Sequence, residues 1–176
     1  LVNINPAYRR SELEYALNKV GCRALILSPA FKSSNYLEML AELAPEFSEC
    51  EPGLLRSHAL PTLEFVIRMG SETSPSMLNF DGLCVAPTRD ELTALALLST
   101  RLQFDDPINI QFTSGTTGHP KGATLSHHNI LNNGYFVAEA IKLVPGDRLC
   151  IPVPLYHCFG MVMGNLGCLT HGATMV

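Results

Sequence analysis

A ten-residue segment rich in glycine and in hydroxyl side chains limits what this chain can fold into. It reads Thr113-Ser114-Gly115-Thr116-Thr117-Gly118-His119-Pro120-Lys121-Gly122 and follows Ile108–Phe112, where apolar and polar residues alternate as in a β-strand. Glycines let backbone N–H groups approach an anion closely, and the hydroxyl groups and Lys121 add donors and a positive charge. The segment therefore predicts a strand that leads into a polyphosphate-binding loop at residues 113–122.

The neighbours of Lys121 distinguish this segment from a Walker A loop. That motif has glycine immediately before the lysine and serine or threonine immediately after it, whereas Lys121 lies between Pro120 and Gly122. Pro120 restricts His119 to extended conformations and so stiffens the turn. The alternative to phosphate binding is a surface turn whose hydroxyl groups bond to the nearby backbone, as one or two of them would do in either case.

Two further motifs lie on either side of this segment. The first is Val2-Asn3-Ile4-Asn5-Pro6-Ala7-Tyr8, which is followed by Glu12-Leu13-Glu14-Tyr15-Ala16-Leu17. The second is Pro152-Val153-Pro154-Leu155-Tyr156-His157-Cys158-Phe159-Gly160. The imidazole of His157, neutral or protonated, can orient a carboxylate and stabilise the charge that develops as it reacts.

With these motifs in this order, the chain resembles the adenylate-forming superfamily, which contains acyl-CoA synthetases, luciferases and the adenylation domains of peptide synthetases. Residues 113–122 are similar to the signature loop of that superfamily, and residues 152–160 are similar to its next motif. The opening is similar to that of the acyl-CoA synthetases, especially the medium-chain fatty acid ligases. Residues from about 45 to 105 carry no motif of the family.

The resemblance implies a role for each motif residue. In the family this loop holds the β- and γ-phosphates of MgATP, which implies an ATP-binding role for Thr113, Ser114, Gly115, Thr116, Thr117, Gly118, Lys121 and Gly122. Lys121 would also be catalytic, because a cation there stabilises the departing pyrophosphate. His157, as a second catalytic residue, and Phe159 would lie beside the acyl substrate. Mg²⁺ would arrive with ATP, with Thr117 as a candidate protein ligand.

The implied reaction has two steps. A fatty acid carboxylate displaces pyrophosphate from MgATP to give an acyl-adenylate, and the thiol of coenzyme A then attacks the acyl carbon while AMP leaves. The partners would thus be small molecules: ATP, a fatty acid and coenzyme A. Two alternatives stay open, namely another adenylating ligase that acts on aryl, amino acid or luciferin-like substrates, and a module that binds ATP without catalysis.

Helices and strands alternate along the chain, which predicts an α/β fold with a mostly parallel sheet flanked by helices. The resemblance implies the large N-terminal domain of an adenylate-forming enzyme. A capping box at Ser11-Glu12-Leu13-Glu14 predicts a helix with Leu13, Ala16, Leu17 and Val20 inward, and Gly21 is predicted to end it. A second helix is predicted from near Ser34, with Leu37, Leu40, Ala41 and Ala44 inward. Further helices are predicted from Thr88, from Ser126, and over 158–169. Strands are predicted at Ala24–Leu27, buried, at Phe65–Ile67, at Ile108–Phe112, at Ala123–Leu125 and at Leu149–Val153.

Residues 1–176 are predicted to form only part of this AMP-binding domain. The family's aromatic-Gly-x-Thr-Glu segment, its ribose-binding Thr-Gly-Asp segment and its C-terminal domain with a catalytic lysine match no segment of this sequence. Both ends of the chain are therefore expected to be cuts in a longer protein. These 176 residues alone are expected to lack ligase activity.

Charge and composition narrow the partners. The net charge is −4 and no run of four basic residues occurs, which argues against nucleic acid as a main partner. No stretch approaches the roughly 20 apolar residues of a membrane-spanning helix.

His127 and His128 have no third ligand within reach, so no metal site of protein side chains is expected. Cys158 and His157 are adjacent, so they are poorly placed to form a nucleophile–base pair. The compartment expected is a bacterial cytoplasm, with the mitochondrial matrix as the alternative, and the sequence gives no oligomeric state.

Overall fold

The computed structural model describes residues 1–113 and 120–176, which fall into two compact units. The first unit comprises residues 6–94, and the second unit comprises residues 1–5 and 95–176. Within the described ranges no helix is both long enough and apolar enough to cross a membrane.

Short strands are interspersed with helices along the chain. In chain order the elements are β1 (Val2–Asn3), α1 (Arg10–Lys19), β2 (Ala24–Leu27), β3 (Ala30–Phe31), β4 (Ser34–Asn35), α2 (Tyr36–Leu43), a 3₁₀ helix (Pro45–Glu49), β5 (Phe65–Arg68), β6 (Leu78–Asn79), α3 (Phe80–Leu83), α4 (Arg89–Ser99), β7 (Pro107–Phe112), β8 (Gly122–Ser126), α5 (His127–Ala140), β9 (Arg148–Leu149), a π-helix (Phe159–Leu166), α6 (Gly167–His171) and β10 (Thr174–Met175).

The strands pair mostly in parallel, which confirms the predicted α/β class. In the first unit β2, β5 and β6 form a parallel sheet in that order, and β3 and β4 form a short antiparallel pair. In the second unit β7 pairs in parallel with β1 and antiparallel with β8, while β9 and β10 pair in parallel. The antiparallel pair β7–β8 flanks residues 113–121.

The first helix begins earlier than the sequence predicts. The backbone N–H of Arg9 donates to the carboxylate of Glu12 at 3.0 Å, so Arg9 is the residue that caps α1. The capping box predicted at Ser11 is wrong, because Glu12 reaches back to Arg9 and leaves Ser11 inside the first turn. The predicted inward face is confirmed at Leu13, Ala16 and Leu17, which are buried, whereas Val20, just beyond the last helical residue, is half-buried. Gly21, at φ +60°, lies just beyond the helix in a conformation that favours glycine, as predicted.

Burial in the first unit departs from the predicted pattern at two elements. Residues Ala24–Leu27 form a strand as predicted, but only Leu27 of the four is buried and Ile26 is 53% exposed. Ala41, predicted to face inward, is exposed, because α2 buries Met39 and Leu40 and each further residue turns about 100° around the axis. The core is completed by Leu60, Leu63 and Val66, each 1% exposed.

The predicted start of α4 is confirmed by a reciprocal pair of bonds. The backbone N–H of Thr88 donates to the Glu91 carboxylate at 2.7 Å, and the N–H of Glu91 donates to the Thr88 hydroxyl at 3.2 Å. The Thr88 N–H and the Thr88 hydroxyl, which donates to the same carboxylate at 2.8 Å, lower the pKa of the Glu91 carboxyl because both bonds favour its ionised form.

Glycines set the close packing of the second unit. A Cβ placed on Gly134 of α5 would lie 2.8 Å from the Leu166 Cβ and 2.9 Å from the Val162 carbonyl oxygen, so α5 and the π-helix approach each other at a glycine. A Cβ on Gly164 would meet the Ile151 side chain at 2.8 Å. The helix predicted over 158–169 is confirmed, although it winds as a π-helix from Phe159 to Leu166 before α6 begins.

Strand β7 faces its polar side chains inward. Asn109 is 2% exposed and Gln111 is 7% exposed, whereas Ile108, Ile110 and Phe112 are only half-buried. The alternation of residues 108–112 therefore predicted the strand correctly. It did not indicate that the polar face is the covered one.

Candidate active site

The ends of the glycine-rich segment are held together by β7 and β8. Phe112 and Gly122 are partners across the two strands, and the backbone N–H of Thr113 donates to the Lys121 carbonyl at 2.9 Å. The Thr113 hydroxyl donates to the same carbonyl at 3.3 Å. Thr113 and Lys121 therefore lie side by side at the end of the β7–β8 pair, and the Lys121 side chain is exposed there.

Five of the predicted phosphate-binding residues, Ser114, Gly115, Thr116, Thr117 and Gly118, lie outside the described residues, as does His119. Among the predicted residues that are described, Thr113, Lys121 and Gly122 lie together at the base of the segment. Gly122 also has a packing role, because a Cβ there would lie 3.0 Å from the Ile110 Cγ2.

Helix α5 begins directly after β8. Ser126 caps it by accepting a bond from the Asn129 N–H at 3.3 Å, while the Ser126 N–H donates to the Asn129 side chain at 3.0 Å. The prediction that His127 and His128 begin a helix is confirmed. The backbone N–H of His128 donates to the Phe104 carbonyl at 2.9 Å. Within residues 1–113 and 120–176, no three His, Cys, Asp or Glu side chains gather closely enough to hold a metal ion.

The second motif places His157 on an exposed turn. The backbone N–H of His157 donates to the Pro154 carbonyl at 3.1 Å, and the N–H of Met161 donates to the His157 carbonyl at 3.1 Å. The Nδ1 atom of His157 accepts the backbone N–H of Phe159 at 3.2 Å. A nitrogen that accepts a bond carries no proton, so the proton of the neutral ring lies on Nε2, which is the atom left to meet a substrate.

The adjacent thiol does not compete for this imidazole. Cys158 Sγ lies 3.9 Å from His157 Nδ1, but that nitrogen already accepts the Phe159 N–H. A base whose lone pair is engaged in this way is poorly arranged to take the thiol proton. The geometry thus agrees with the expectation that these two residues are not a nucleophile–base pair.

A cavity of about 480 Å³ lies beside the turn. Its lining combines the end of β8, about one turn of α5, the residue before the π-helix and the middle of that helix. The residues are Leu125, Asn129, Ile130, Asn133, Cys158, Val162 and Met163. The cavity is therefore lined both by β8, the strand that follows the glycine-rich segment, and by Cys158, the residue that follows His157. Phe159 does not belong to this lining and is 51% exposed.

Sequence reasoning did not identify the cavity residues. Asn129 and Asn133 are four residues apart and so share one face of α5, which is a signal that the sequence carries. Which face of α5 meets the π-helix is decided by Gly134, and that contact lies between parts of the chain that are distant in sequence.

Comparisons with known proteins agree with the motifs. The family described as AMP-binding enzyme matches residues 1–176. The human protein named medium-chain acyl-CoA ligase ACSF2, mitochondrial, is 46% identical over 180 residues, which cover all of this chain and 29% of the human protein. The zebrafish (Danio rerio) protein of the same name is 48% identical over 178 residues and is likewise covered to 29%. The chain thus spans less than a third of the length of these relatives.

A solved structure shows the same fold. The anthranilate CoA ligase AuaEII, determined in complex with anthranoyl-AMP, superposes with a TM-score of 0.70 at 19% identity. The superposition covers 99% of this chain and 30% of that one.

Proposed function

We propose that this chain, which belongs to the AMP-binding enzyme family, is the phosphate-binding part of a ligase that activates a medium-chain fatty acid with ATP and transfers it to coenzyme A. The observation that carries the proposal is the glycine-rich segment 113–122, whose two ends are closed against each other by the bond from the Thr113 N–H to the Lys121 carbonyl. The names of the relatives at 46% and 48% identity support the choice of fatty acid over other carboxylic acids.

The segment would bind the β- and γ-phosphates of ATP through its backbone N–H groups and hydroxyls. Its proposed residues are Thr113, Ser114, Gly115, Thr116, Thr117, Gly118, Lys121 and Gly122. Lys121, exposed at the base, would place its ammonium group against the pyrophosphate as that group departs. Because acid and nucleotide are both held by the enzyme, attack at the α-phosphate becomes effectively unimolecular.

His157 would orient the substrate carboxylate by donating from Nε2. Its Nδ1 atom is engaged by the Phe159 N–H, so the donor is held in one tautomer. The cavity beside it has the volume of a small-molecule site and four apolar residues in its lining, Leu125, Ile130, Val162 and Met163. We assign this cavity to the acyl chain, and Phe159, which lies outside the cavity lining, stays a proposed contact of the acyl substrate.

The proposed reaction also requires Mg²⁺, bound together with ATP, and coenzyme A, which accepts the acyl group. A Mg²⁺ ion bound with ATP keeps most of its contacts to phosphate and water, which fits a described chain without a cluster of acidic ligands. Thr117 is the candidate protein ligand. The ion would neutralise phosphate charge, while Lys121 would stabilise the departing pyrophosphate and His157 would orient the carboxylate.

The mitochondrial names of the relatives favour the mitochondrial matrix over a bacterial cytoplasm as the compartment.

The test is ATP–pyrophosphate exchange by the full-length protein in the presence of single carboxylic acids. We expect medium-chain fatty acids to stimulate exchange and aryl or amino acids to leave it at the background rate. Lys121→Gln should lower the stimulated exchange by at least about tenfold, because removing one preorganised group that stabilises the transition state has at least that effect in other enzymes. Lys142→Gln, which removes another exposed lysine of the second unit, is the matched control and should leave the rate unchanged. If no acid stimulates exchange, the ligase proposal is wrong.

A further inference from the structure

Three carboxamides cover one face of the strands that lead into the glycine-rich segment. Asn3 of β1 is the direct partner of Gln111 of β7, and Asn109 lies two residues before Gln111. Since side chains alternate along a strand and directly paired residues share a face, all three lie on the same side of the sheet. Asn109 and Gln111 are buried and Asn3 is half-buried.

The sulfur of Met161 is the atom that two of these three amides reach. The Asn3 Nδ2 lies 3.4 Å from Met161 Sδ, and the Gln111 Nε2 lies 4.0 Å from it. A thioether sulfur is a weak hydrogen-bond acceptor. Even so, a weak bond costs less free energy than leaving a buried amide N–H with no acceptor at all. Within residues 1–113 and 120–176, neither the Nδ2 nor the Oδ1 atom of Asn109 has a hydrogen-bond partner, so the amides on this face are not all paired with one another.

The backbone of Met161 makes a separate contact, with the turn that carries His157. Its N–H donates to the His157 carbonyl at 3.1 Å, one turn back toward the start of the π-helix. Met161 therefore contacts the His157 turn through its backbone and the β1–β7 strands through its side chain. The second contact lies two residues before Thr113, where β7 gives way to the proposed phosphate loop.

We propose that Met161 is a positioning residue that fixes His157 relative to the entrance of the phosphate loop, with Asn3 and Gln111 as the side chains that hold its sulfur. The inference rests on the proposed function, because the distance it controls is the one between the activated carboxylate and the nucleotide. A displacement of about 1 Å in such an arrangement can cost about a hundredfold in rate.

The first experiment measures carboxylate-dependent ATP–pyrophosphate exchange in the full-length protein. Met161→Leu keeps the volume and apolar character of the side chain but removes the acceptor, and we expect kcat to fall about tenfold with KM for ATP nearly unchanged. Met161→Gln, which offers an amide oxygen at a similar reach, should recover most of the loss. Met39→Leu, the same substitution in the core of the first unit, should have no effect on either constant.

A double substitution tests whether the two contacting side chains act together. Asn3→Ala alone should lower kcat by a factor similar to that of Met161→Leu. The double variant should lose little more than either single variant, because both remove the same contact. Multiplicative losses, or a Met161→Gln variant as slow as Met161→Leu, would show that the contact has no positioning role.

The second experiment needs no catalytic activity. Diethylpyrocarbonate acylates an unprotonated imidazole nitrogen, so the rate of His157 carbethoxylation, followed by mass spectrometry of the peptide, reports how firmly its turn is held. We expect a rise of at least about threefold in Met161→Leu and none in Met39→Leu. An unchanged rate would overturn the inference even in a protein that is a ligase. A raised rate in a protein that shows no exchange with any acid would refute the proposed function and leave the positioning contact standing.

Discussion

Gly160 packs against the turn that carries His157, so an alanine at this position measures how closely the helix and the turn must approach. A Cβ on Gly160 would lie 2.6 Å from the Pro154 carbonyl oxygen, about 0.8 Å inside the 3.4 Å at which ordinary van der Waals contact begins. It would also lie 3.0 Å from the Val153 carbonyl oxygen. Because both neighbours are backbone atoms, no side-chain rotation relieves the contact, and the turn or the π-helix has to move.

The cost of Gly160→Ala can be bounded from these distances. Overpacking of this kind costs about 1–3 kcal/mol, and the higher helix propensity of alanine returns up to about 1 kcal/mol. We therefore expect a net loss between about 0 and 3 kcal/mol in the free energy of unfolding. Activity should suffer more than stability, because a shift of nearly 1 Å displaces His157 directly. Carboxylate-dependent ATP–pyrophosphate exchange should fall by about 10- to 100-fold.

The assay compares exchange rate and thermal midpoint in the full-length protein. Gly82→Ala is the matched control, because a Cβ on Gly82 of α3 would meet only the Asn79 Cβ, at 3.9 Å, and alanine there should be neutral or slightly stabilising. The reasoning is refuted if Gly160→Ala keeps exchange within about twofold of the wild type, or if Gly82→Ala loses as much.

Three further substitutions test separate parts of the structure. Gly164→Ala should lower the thermal midpoint, because its Cβ would lie 2.8 Å from the Ile151 Cδ1, and adding Ile151→Val, which removes that methyl group, should restore part of the loss. Ser126→Ala removes the cap of α5 and should cost about 1 kcal/mol in the free energy of unfolding, measured by denaturant titration. The bond from the Arg23 guanidinium lowers the pKa of the Glu64 carboxyl, so its contribution to stability is present near neutral pH and is lost as the pH falls through that lowered pKa. The difference in thermal midpoint between the wild type and Glu64→Gln should accordingly shrink toward zero as the pH is lowered from 7 to 3, and a difference independent of pH would contradict this assignment.

Local signals in the sequence predicted most of the elements. The reciprocal bonds of Thr88 with Glu91 and of Ser126 with Asn129 join residues three apart, so the order of residues is enough to predict them. The same logic failed at Ser11, because Arg9 and Glu12, which are also three residues apart, form the cap instead of Ser11 and Glu14. A capping pattern specifies which residues can bond, and the choice between neighbouring patterns depends on where the chain enters the helix.

The site was predictable as a set of motifs, and its geometry was not. The order of the glycine-rich segment and the His157 motif is a property of the sequence. That Leu125 and Cys158 line one cavity depends on how α5 and the π-helix pack, and the glycine at the contact, Gly134, is far from Leu166 along the chain. Contacts of this kind leave no local pattern.

Strand β7 connects this packing to the chemistry. The alternation of side chains along a strand predicts which residues share a face. Which of the two faces is buried depends on the element that packs over the sheet. In β7 the buried face is the polar one, because the π-helix brings Met161 over Asn3 and Gln111. The approach of Gly160 to Pro154 holds the first turn of that same helix. Both contacts restrain the start of the π-helix, so Gly160→Ala should raise the rate of His157 carbethoxylation as Met161→Leu does. An alanine at Gly160 that slowed exchange without raising that rate would mean that the two contacts act independently.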